Sequence, residues 1–127
     1  KNNWSEIKVW NYVAKDFKNS GHIKAGLFMG DFTMTSINTM FNTGTVVGLC
    51  CNIFGSDLPP KFIPSFSWGG SQHITTYKTD KAFATIEKVM KAKNQFLGTQ
   101  DRILLLKVFE ETSIYRTWED SKGKEIF

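Results

Sequence analysis

Residues 37–55 read INTMFNTGTVVGLCCNIFG, and the spacing of apolar residues in this stretch decides how the chain folds. These residues follow neither the 3.6-residue period of an amphipathic helix nor the two-residue period of a half-buried strand. Steps of six in both directions from Val47 instead collect six positions, all bulky and apolar except one threonine: Ile23, Met29, Thr35, Phe41, Val47 and Ile53. The period of this segment is therefore six residues.

A period of six is typical of a parallel β-helix, in which each hexad supplies a short strand and a corner, and equivalent positions stack from turn to turn. The positions four places further on are small in four successive hexads: Thr33, Thr39, Thr45 and Cys51. We expect the bulky residue inside each turn, the small residue beside the corner, and Gly or Asn at the bend. The alternative is a chance coincidence in a β-rich segment, because six is a multiple of the strand period.

The hexads divide a chain of single-domain length into four parts. We expect a partial turn and an excursion loop in 1–22, the hexapeptide repeats in 23–58, a fixed loop rich in proline and aromatic residues in 59–77, and a helical cap in 78–127. Two turns of β-helix cannot bury their own ends. Since the chain begins with Lys1 and no cap precedes the repeats, we expect the natural protein to extend further toward its N-terminus.

The helical cap is predicted from a change of period beyond Thr79. One helical stripe of apolar residues comprises Ala82, Phe83, Ile86, Val89 and Met90. Thr79 or Asp80 is the expected N-cap, and residues 94–98 interrupt the helix. Thr99 is expected to cap a second helix with a broad apolar face, formed by Ile103, Leu105, Leu106, Phe109 and Ile114.

The composition narrows the possible functions. The net charge of +4 comes from 16 basic and 12 acidic side chains that are mixed along the chain, so no nucleic-acid-binding surface is indicated. No apolar run approaches the roughly 18 residues of a membrane helix, and no Cys/His cluster indicates a metal site. We expect a soluble, cytoplasmic protein with reduced thiols, in which Cys51 is packed inside and Cys50 lies outside.

A resemblance to a known family is carried by residues 21–70, which read GHIKAGLFMGDFTMTSINTMFNTGTVVGLCCNIFGSDLPPKFIPSFSWGG. Followed by two predicted helices, this run resembles the C-terminal domain of bacterial sugar nucleotidyltransferases related to the bifunctional N-acetylglucosamine-1-phosphate uridylyltransferase/acetyltransferase. The likeness covers nearly the whole chain, and PPKFIPSFSWGG is a recurring signature of one branch. It implies a left-handed parallel β-helix capped by two C-terminal α-helices, assembled as a homotrimer.

The resemblance also implies co-substrates. In such families an N-terminal domain joins a sugar 1-phosphate to a nucleoside triphosphate with Mg²⁺. The β-helix domain of characterised members transfers an acetyl group from acetyl-CoA to a sugar amine between subunits. This chain has no glycine-rich phosphate loop, since Gly69 and Gly70 lack a following Lys or Arg. A sugar phosphate and magnesium are therefore implied only for a nucleotidyltransferase domain, and acetyl-CoA for this chain.

Five residues match binding positions of the family. Asn3 and Trp4 stand where an asparagine and an aromatic residue contact the coenzyme. Ile37 and Gly55, one full turn apart, match positions that line the coenzyme groove, and Lys24 matches a lysine near the acceptor. The resemblance thus implies an acyl-CoA site that involves both ends of the repeat segment.

The catalytic base stays unassigned. The related branch commonly has histidine where this chain has Phe32, and a lone loop histidine such as His22 or His73 is more often a surface residue than a base.

Two functions remain open. One is an acyltransferase that acts on a sugar, with Lys61 at the groove rim attracting the coenzyme phosphates. The other is a non-catalytic trimerisation or regulatory module of a parent nucleotidyltransferase; a sugar acyltransferase without a nucleotidyl domain is a third reading.

Overall fold

A computed structural model describes residues 8–19, 27–37, 39–55 and 57–119. Within these ranges it contains three small sheets, followed by two helices. The strands are β1 (Lys8–Asn11), β2 (Asp16–Asn19), β3 (Phe28–Met29), β4 (Met34–Thr35), β5 (Val46–Val47), β6 (Asn52–Ile53), β7 (Phe62–Ile63), β8 (Ser67–Gly69) and β9 (Ile74–Thr76). The helices are α1 (Thr79–Ala92) and α2 (Thr99–Glu111), and a 3₁₀ turn follows at Ser113–Tyr115.

The described residues between 27 and 69 form three layers, each of which contributes two short strands. Strands β3 and β4 belong to the first layer, β5 and β6 to the second, and β7 and β8 to the third. Neighbouring layers pair in parallel, with a register offset of 18 residues between the first two and 16 between the last two. Because the offset is the same for both strands of a layer, equivalent residues lie directly above one another.

The side chains that point between the strands build a small apolar core, here called the layer core. It consists of Val47, Cys51, Ile53 and Ile63, all buried, with Phe41 packed against them. Branched aliphatic side chains suit such positions because they fill the space above a pleated strand. The prediction that Val47 and Ile53 of the hexad series point inward is confirmed.

The predicted left-handed parallel β-helix is wrong as a description of the fold. The described residues form mixed sheets and no closed solenoid: β9 pairs with β8 in the antiparallel direction, and β1 and β2 form a separate antiparallel hairpin. Residues 8–19 are thus a hairpin rather than a partial turn with an excursion loop. The described residues between β6 and β7 form no strand, and they include Pro59 and Pro60, which have no backbone N–H to donate to a neighbouring strand.

Each layer bends between its two strands at a residue with left-handed backbone geometry. The φ angle is 58° at Phe32, 53° at Cys50 and 60° at Phe66, and these three residues repeat with the same offsets as the strands. Backbone hydrogen bonds join the bends, since the Cys50 N–H donates to Asp31 O at 3.1 Å and the Phe66 N–H to Leu49 O at 2.9 Å. A side-chain-bearing residue in this conformation costs about 1–2 kcal/mol, so the surrounding contacts must hold it there.

The left-handed bends place Cys50 and Phe66 in a second core beneath the helices, here called the helix core. Its buried members are Cys50, Phe66, Tyr77, Ala82, Phe83, Ile86, Leu97 and Leu105. The prediction that Cys50 lies on the outside is therefore wrong, because both thiols are fully buried. The two adjacent cysteines belong to different cores, and Cys51 Sγ donates to Pro64 O at 3.1 Å within the layers.

The two predicted helices are confirmed, with corrections at their ends and faces. Lys78 is the N-cap of α1, rather than Thr79 or Asp80, and Gly98 precedes α2 in the same role. The Gly98 N–H donates to the Asp101 carboxylate at 3.2 Å, which satisfies one free donor at the helix start. The broad apolar face expected on α2 is mostly not covered: Leu105 is buried, whereas Ile103, Leu106 and Ile114 are exposed.

A buried arginine holds the segment after α2 against the third layer. Arg116 is 1% exposed and pairs with Glu119 at 2.8 Å. Its guanidinium also donates to Ser65 O at 3.1 Å and to Phe109 O at 2.6 Å, and it lies 4.3 Å from the centre of the Phe109 ring. Because a buried charge is tolerated only when it is paired, this network connects β7–β8, α2 and the C-terminal segment.

The layer core predicts a large difference between two identical substitutions. Val47→Asp places a carboxylate among apolar side chains and should destabilise the protein by about 3 kcal/mol. Val13→Asp alters a side chain that is 94% exposed and should change stability by less than about 0.5 kcal/mol. Urea unfolding followed by circular dichroism measures both values, and equal stabilities would contradict the inward direction of Val47.

The buried thiols predict a loss of stability at alkaline pH. Burial raises the pKa of Cys50 from 9.0 to about 12 and that of Cys51 to about 11. The native state keeps thiol protons that the unfolded chain releases above pH 9, so stability falls as pH rises from 9 toward 11.

Between pH 8 and pH 10, the wild type should lose about 2 kcal/mol more than a Cys50→Ala/Cys51→Ala variant. The measurement is urea unfolding under reducing conditions at both pH values. An equal loss in the two proteins would show that the thiols are not held neutral by burial.

Candidate functional site

Two of the five predicted site residues lie at equivalent places in neighbouring layers. Thr35 pairs with Ile53, so Ile37 and Gly55 each follow the end of a stacked strand by two residues. Ile37 is 92% exposed, and a Cβ added at Gly55 would meet no atom within 4 Å. Gly55 has a φ of 119°, a conformation that glycine adopts readily and other residues rarely. The structure therefore places an open backbone bend at Gly55.

The other three predicted site residues cannot be located. Asn3, Trp4 and Lys24 lie outside the described residues. Lys61, expected at the groove rim, donates from its Nζ to Lys8 O at 2.8 Å and thus contacts the hairpin. It is not among the residues that line the cavity at Gly55.

The turn between β8 and β9 packs against the Phe54 backbone beside the bend at Gly55 and borders a cavity of about 230 Å³, here called the corner groove. Its lining residues are Phe54, Gly55, Gly70, Ser71, Gln72 and His73. The Phe54 N–H donates to Gly69 O at 2.9 Å, and the Gly70 N–H donates to His73 O at 3.1 Å. A Cβ at Gly70 would stand 1.8 Å from Phe54 O, so only glycine permits this close approach.

The corner groove offers polar groups of several kinds at one place. Ser71 and Gln72 supply a hydroxyl and an amide, and His73 supplies an imidazole, the side chain that enzymes use most often as a general base. Among the described lining residues, His73 is the only one with an ionisable side chain. Sequence reasoning treated His73 as an ordinary loop residue, since nothing in the chain signalled that the β8–β9 turn folds back onto Gly55.

A second cavity, of about 270 Å³, lies along β9 and the start of α1 and is here called the lysine pocket. It is lined by Trp68, Thr75, Thr76, Tyr77, Lys78 and Lys81. Trp68 belongs to this pocket and Phe54 to the corner groove, and their ring centres are 4.7 Å apart in an edge-to-face arrangement. The two cavities are thus neighbours, separated by one aromatic pair.

The described part of the chain shows neither a metal cluster nor a membrane-spanning helix. No group of three or more His, Cys, Asp or Glu side chains in these ranges could hold a metal ion. Neither α1 nor α2 is long and apolar enough to cross a bilayer.

Comparison of the chain with protein-family models, with curated proteins and with solved structures finds no match. The resemblance stated for residues 21–70 therefore rests on those residues alone, and the function it implies stays a prediction.

Proposed function

We propose that the chain is the C-terminal domain of a cytoplasmic sugar-nucleotide-forming transferase, and that it binds an acyl-CoA such as acetyl-CoA. The binding surface is the continuous strip formed by the corner groove, the Phe54–Trp68 pair and the lysine pocket. One observation carries the proposal: a bend with open backbone at Gly55 lies next to an aromatic pair, which in turn borders two lysines. This order of chemical groups suits a ligand with amides at one end and phosphates at the other.

The corner groove suits the pantetheine arm. The arm is a narrow chain with two amide groups, and the absence of a side chain at Gly55 leaves room for it to lie against the backbone. Ser71 and Gln72 provide a hydroxyl and a carboxamide for its amides. The methylene groups of the arm would cover the neighbouring Phe54 and Trp68 rings, and Trp68 is 43% exposed.

The lysine pocket suits the phosphates. Lys78 and Lys81 line it, and Lys78 stands directly before the first turn of α1. The free N–H groups of a helix start and its positive dipole end favour anions. Asp80 in the same turn opposes this attraction in part, so the two lysines are required for the net positive field.

Acyl transfer would need a base close to the thioester, and among the described lining residues of the corner groove His73 carries an imidazole. In this step the amine nitrogen of the sugar attacks the thioester carbonyl, and a carbon–nitrogen bond forms as the carbon–sulfur bond breaks. His73 takes the proton that the amine loses, and the coenzyme leaves as its thiolate. Nucleotidyl transfer, with its sugar phosphate and Mg²⁺, belongs in this proposal to the nucleotidyltransferase domain of the parent enzyme.

A second candidate function is trimerisation without chemistry, and the first layer favours it. Met29 is stacked with Val47 and Ile63, yet it is 41% exposed whereas they are 3% and 0% exposed. Leu27, Phe28, Phe32 and Met40 in the same layer are exposed as well. An apolar surface of this kind marks a contact with other protein, and a homotrimer is the assembly that we propose.

Calorimetric titration with acetyl-CoA tests the proposal. Replacing both Lys78 and Lys81 by glutamine should weaken binding about tenfold, because two charge-assisted contacts with phosphate are lost. Lys91→Gln removes an exposed lysine from the last turn of the same helix and should leave the affinity unchanged. Binding by the wild type should also weaken as salt increases.

Release of free coenzyme A in the presence of an amino sugar separates the two candidate functions. Loss of this activity in His73→Ala, with acetyl-CoA affinity retained, supports acyl transfer. No binding at millimolar acetyl-CoA, together with a trimer in sedimentation equilibrium, would overturn the acyl-CoA proposal and leave the assembly function.

A further inference from the structure

A third cavity, larger than the corner groove and the lysine pocket, lies apart from the proposed acyl-CoA surface. It has a volume of about 600 Å³ and lies between the β1–β2 hairpin, β7, β9 and the segment after α2. The lining residues on which the argument depends are Trp10, Lys15, Phe62, Ile114, Tyr115 and Trp118. None of the described residues that line it also lines the corner groove or the lysine pocket. We call it the aromatic pocket.

The walls of the aromatic pocket are held in place by ring contacts. Trp10 stacks on Phe62 with ring centres 4.2 Å apart and an angle of 10° between planes. Tyr115 meets both of these rings edge to face, at 6.2 Å and 5.8 Å. The Trp118 indole N–H donates to Thr76 Oγ1 at 2.8 Å, which attaches that wall to β9. The pocket is therefore built by packed elements, and such a volume is usual for small-molecule sites.

The charge of the lining indicates the ligand. Lys15 is the only charged residue among the described ones that line the pocket, so its charge favours an anion. The Trp10 and Tyr115 rings line the same pocket, so a ligand with a flat ring and one negative charge fits the described lining.

We propose that the aromatic pocket binds a flat aromatic ring that carries a carboxylate. The ring stacks against the aromatic walls, and the carboxylate oxygens face Lys15. Rings of this kind prefer offset or edge-to-face contacts with Trp and Tyr, which the perpendicular arrangement around Tyr115 provides. The inference does not rest on the acyl-CoA proposal, because the two surfaces share no described lining residue.

The test uses 2-naphthoate as the probe and 2-naphthamide as its neutral counterpart of nearly equal shape. Titration of the ¹⁵N-labelled chain should shift the indole N–H signals of Trp10 and Trp118 and leave that of Trp68 unchanged. Naphthoate should bind about fivefold more tightly than naphthamide, which is the effect expected of one partly exposed charge contact.

Matched lysine variants locate the charge. Lys15→Gln should bring the two affinities to within a factor of about two, because the naphthoate preference is lost. Lys18→Gln changes an exposed lysine on β2 of the same hairpin that does not line the pocket, and it should keep the full preference. Both side chains are exposed, so neither variant is expected to unfold the protein.

A second pair of variants tests the location of the binding site. Both variants lose the same wild-type side chain, so a difference between them reports the charge that replaces it. Ile114 lines the pocket and is 60% exposed, so it tolerates a charged replacement. Ile114→Lys should bind naphthoate more tightly than Ile114→Glu by about fivefold or more, whereas naphthamide should not distinguish them.

Three results would overturn the proposal. The first is an equal affinity for naphthoate and naphthamide in the wild type, and the second is a shift confined to Trp68. The third is a concentration-dependent dimer whose formation alone shifts Trp10 and Trp118, since the pocket would then be a contact between two copies of the chain.

Discussion

The fold depends on the left-handed backbone at Phe32, Cys50 and Phe66. These residues carry side chains, so the conformation is unfavourable at each of them and must be imposed by the contacts around it. Two kinds of contact do so. Interlayer hydrogen bonds engage the amides of Cys50 and Phe66, and the side chains of both residues are buried against α1 and α2. The same bend therefore stacks the layers and attaches the helices to them.

The surfaces to which we assign function follow from this stacking. Ile37 and Gly55 occupy equivalent places in successive layers, and the β8–β9 turn lies beside the open bend at Gly55. Gly70 then approaches the Phe54 carbonyl more closely than any side chain would allow. On another part of the molecule, the third layer places Phe62 beneath Trp10, while Arg116 holds the C-terminal segment that completes the aromatic pocket. The stacked layers thus support the corner groove and the aromatic pocket. Short segments outside the layers form the other walls of these two cavities.

Sequence periodicity predicted those features that depend on side-chain direction and spacing. The six-residue period identified Val47 and Ile53 as inward-facing, and the helical period located α1 and α2. The six-residue period could not predict the bend at Cys50. Cysteine has no preference for left-handed backbone, and the rule that consecutive residues face opposite sides applies to a continuous strand. The β-helix prediction was wrong because a period reports repeated local structure and does not specify antiparallel partners such as β9.

The sequence did not identify the buried Arg116 either, because its hydrogen-bond partners are separated from it by as many as 51 residues. For the candidate site, the sequence shows the 18-residue spacing of Ile37 and Gly55. The position of His73 beside Gly55 could not be predicted, because it depends on how the β8–β9 turn folds.

The most direct test of the central claim compares glycine with alanine at the two adjacent cysteines. At an ordinary buried position, glycine is less stable than alanine by about 0.5–1 kcal/mol, because it loses more backbone freedom on folding. At a left-handed position the order reverses, since alanine carries the steric cost and glycine does not. Urea unfolding of four single variants should therefore show Cys50→Gly more stable than Cys50→Ala by about 1 kcal/mol, and Cys51→Gly less stable than Cys51→Ala. If glycine is the less stable replacement at both positions, the left-handed bend at Cys50 is not the constraint that organises this fold.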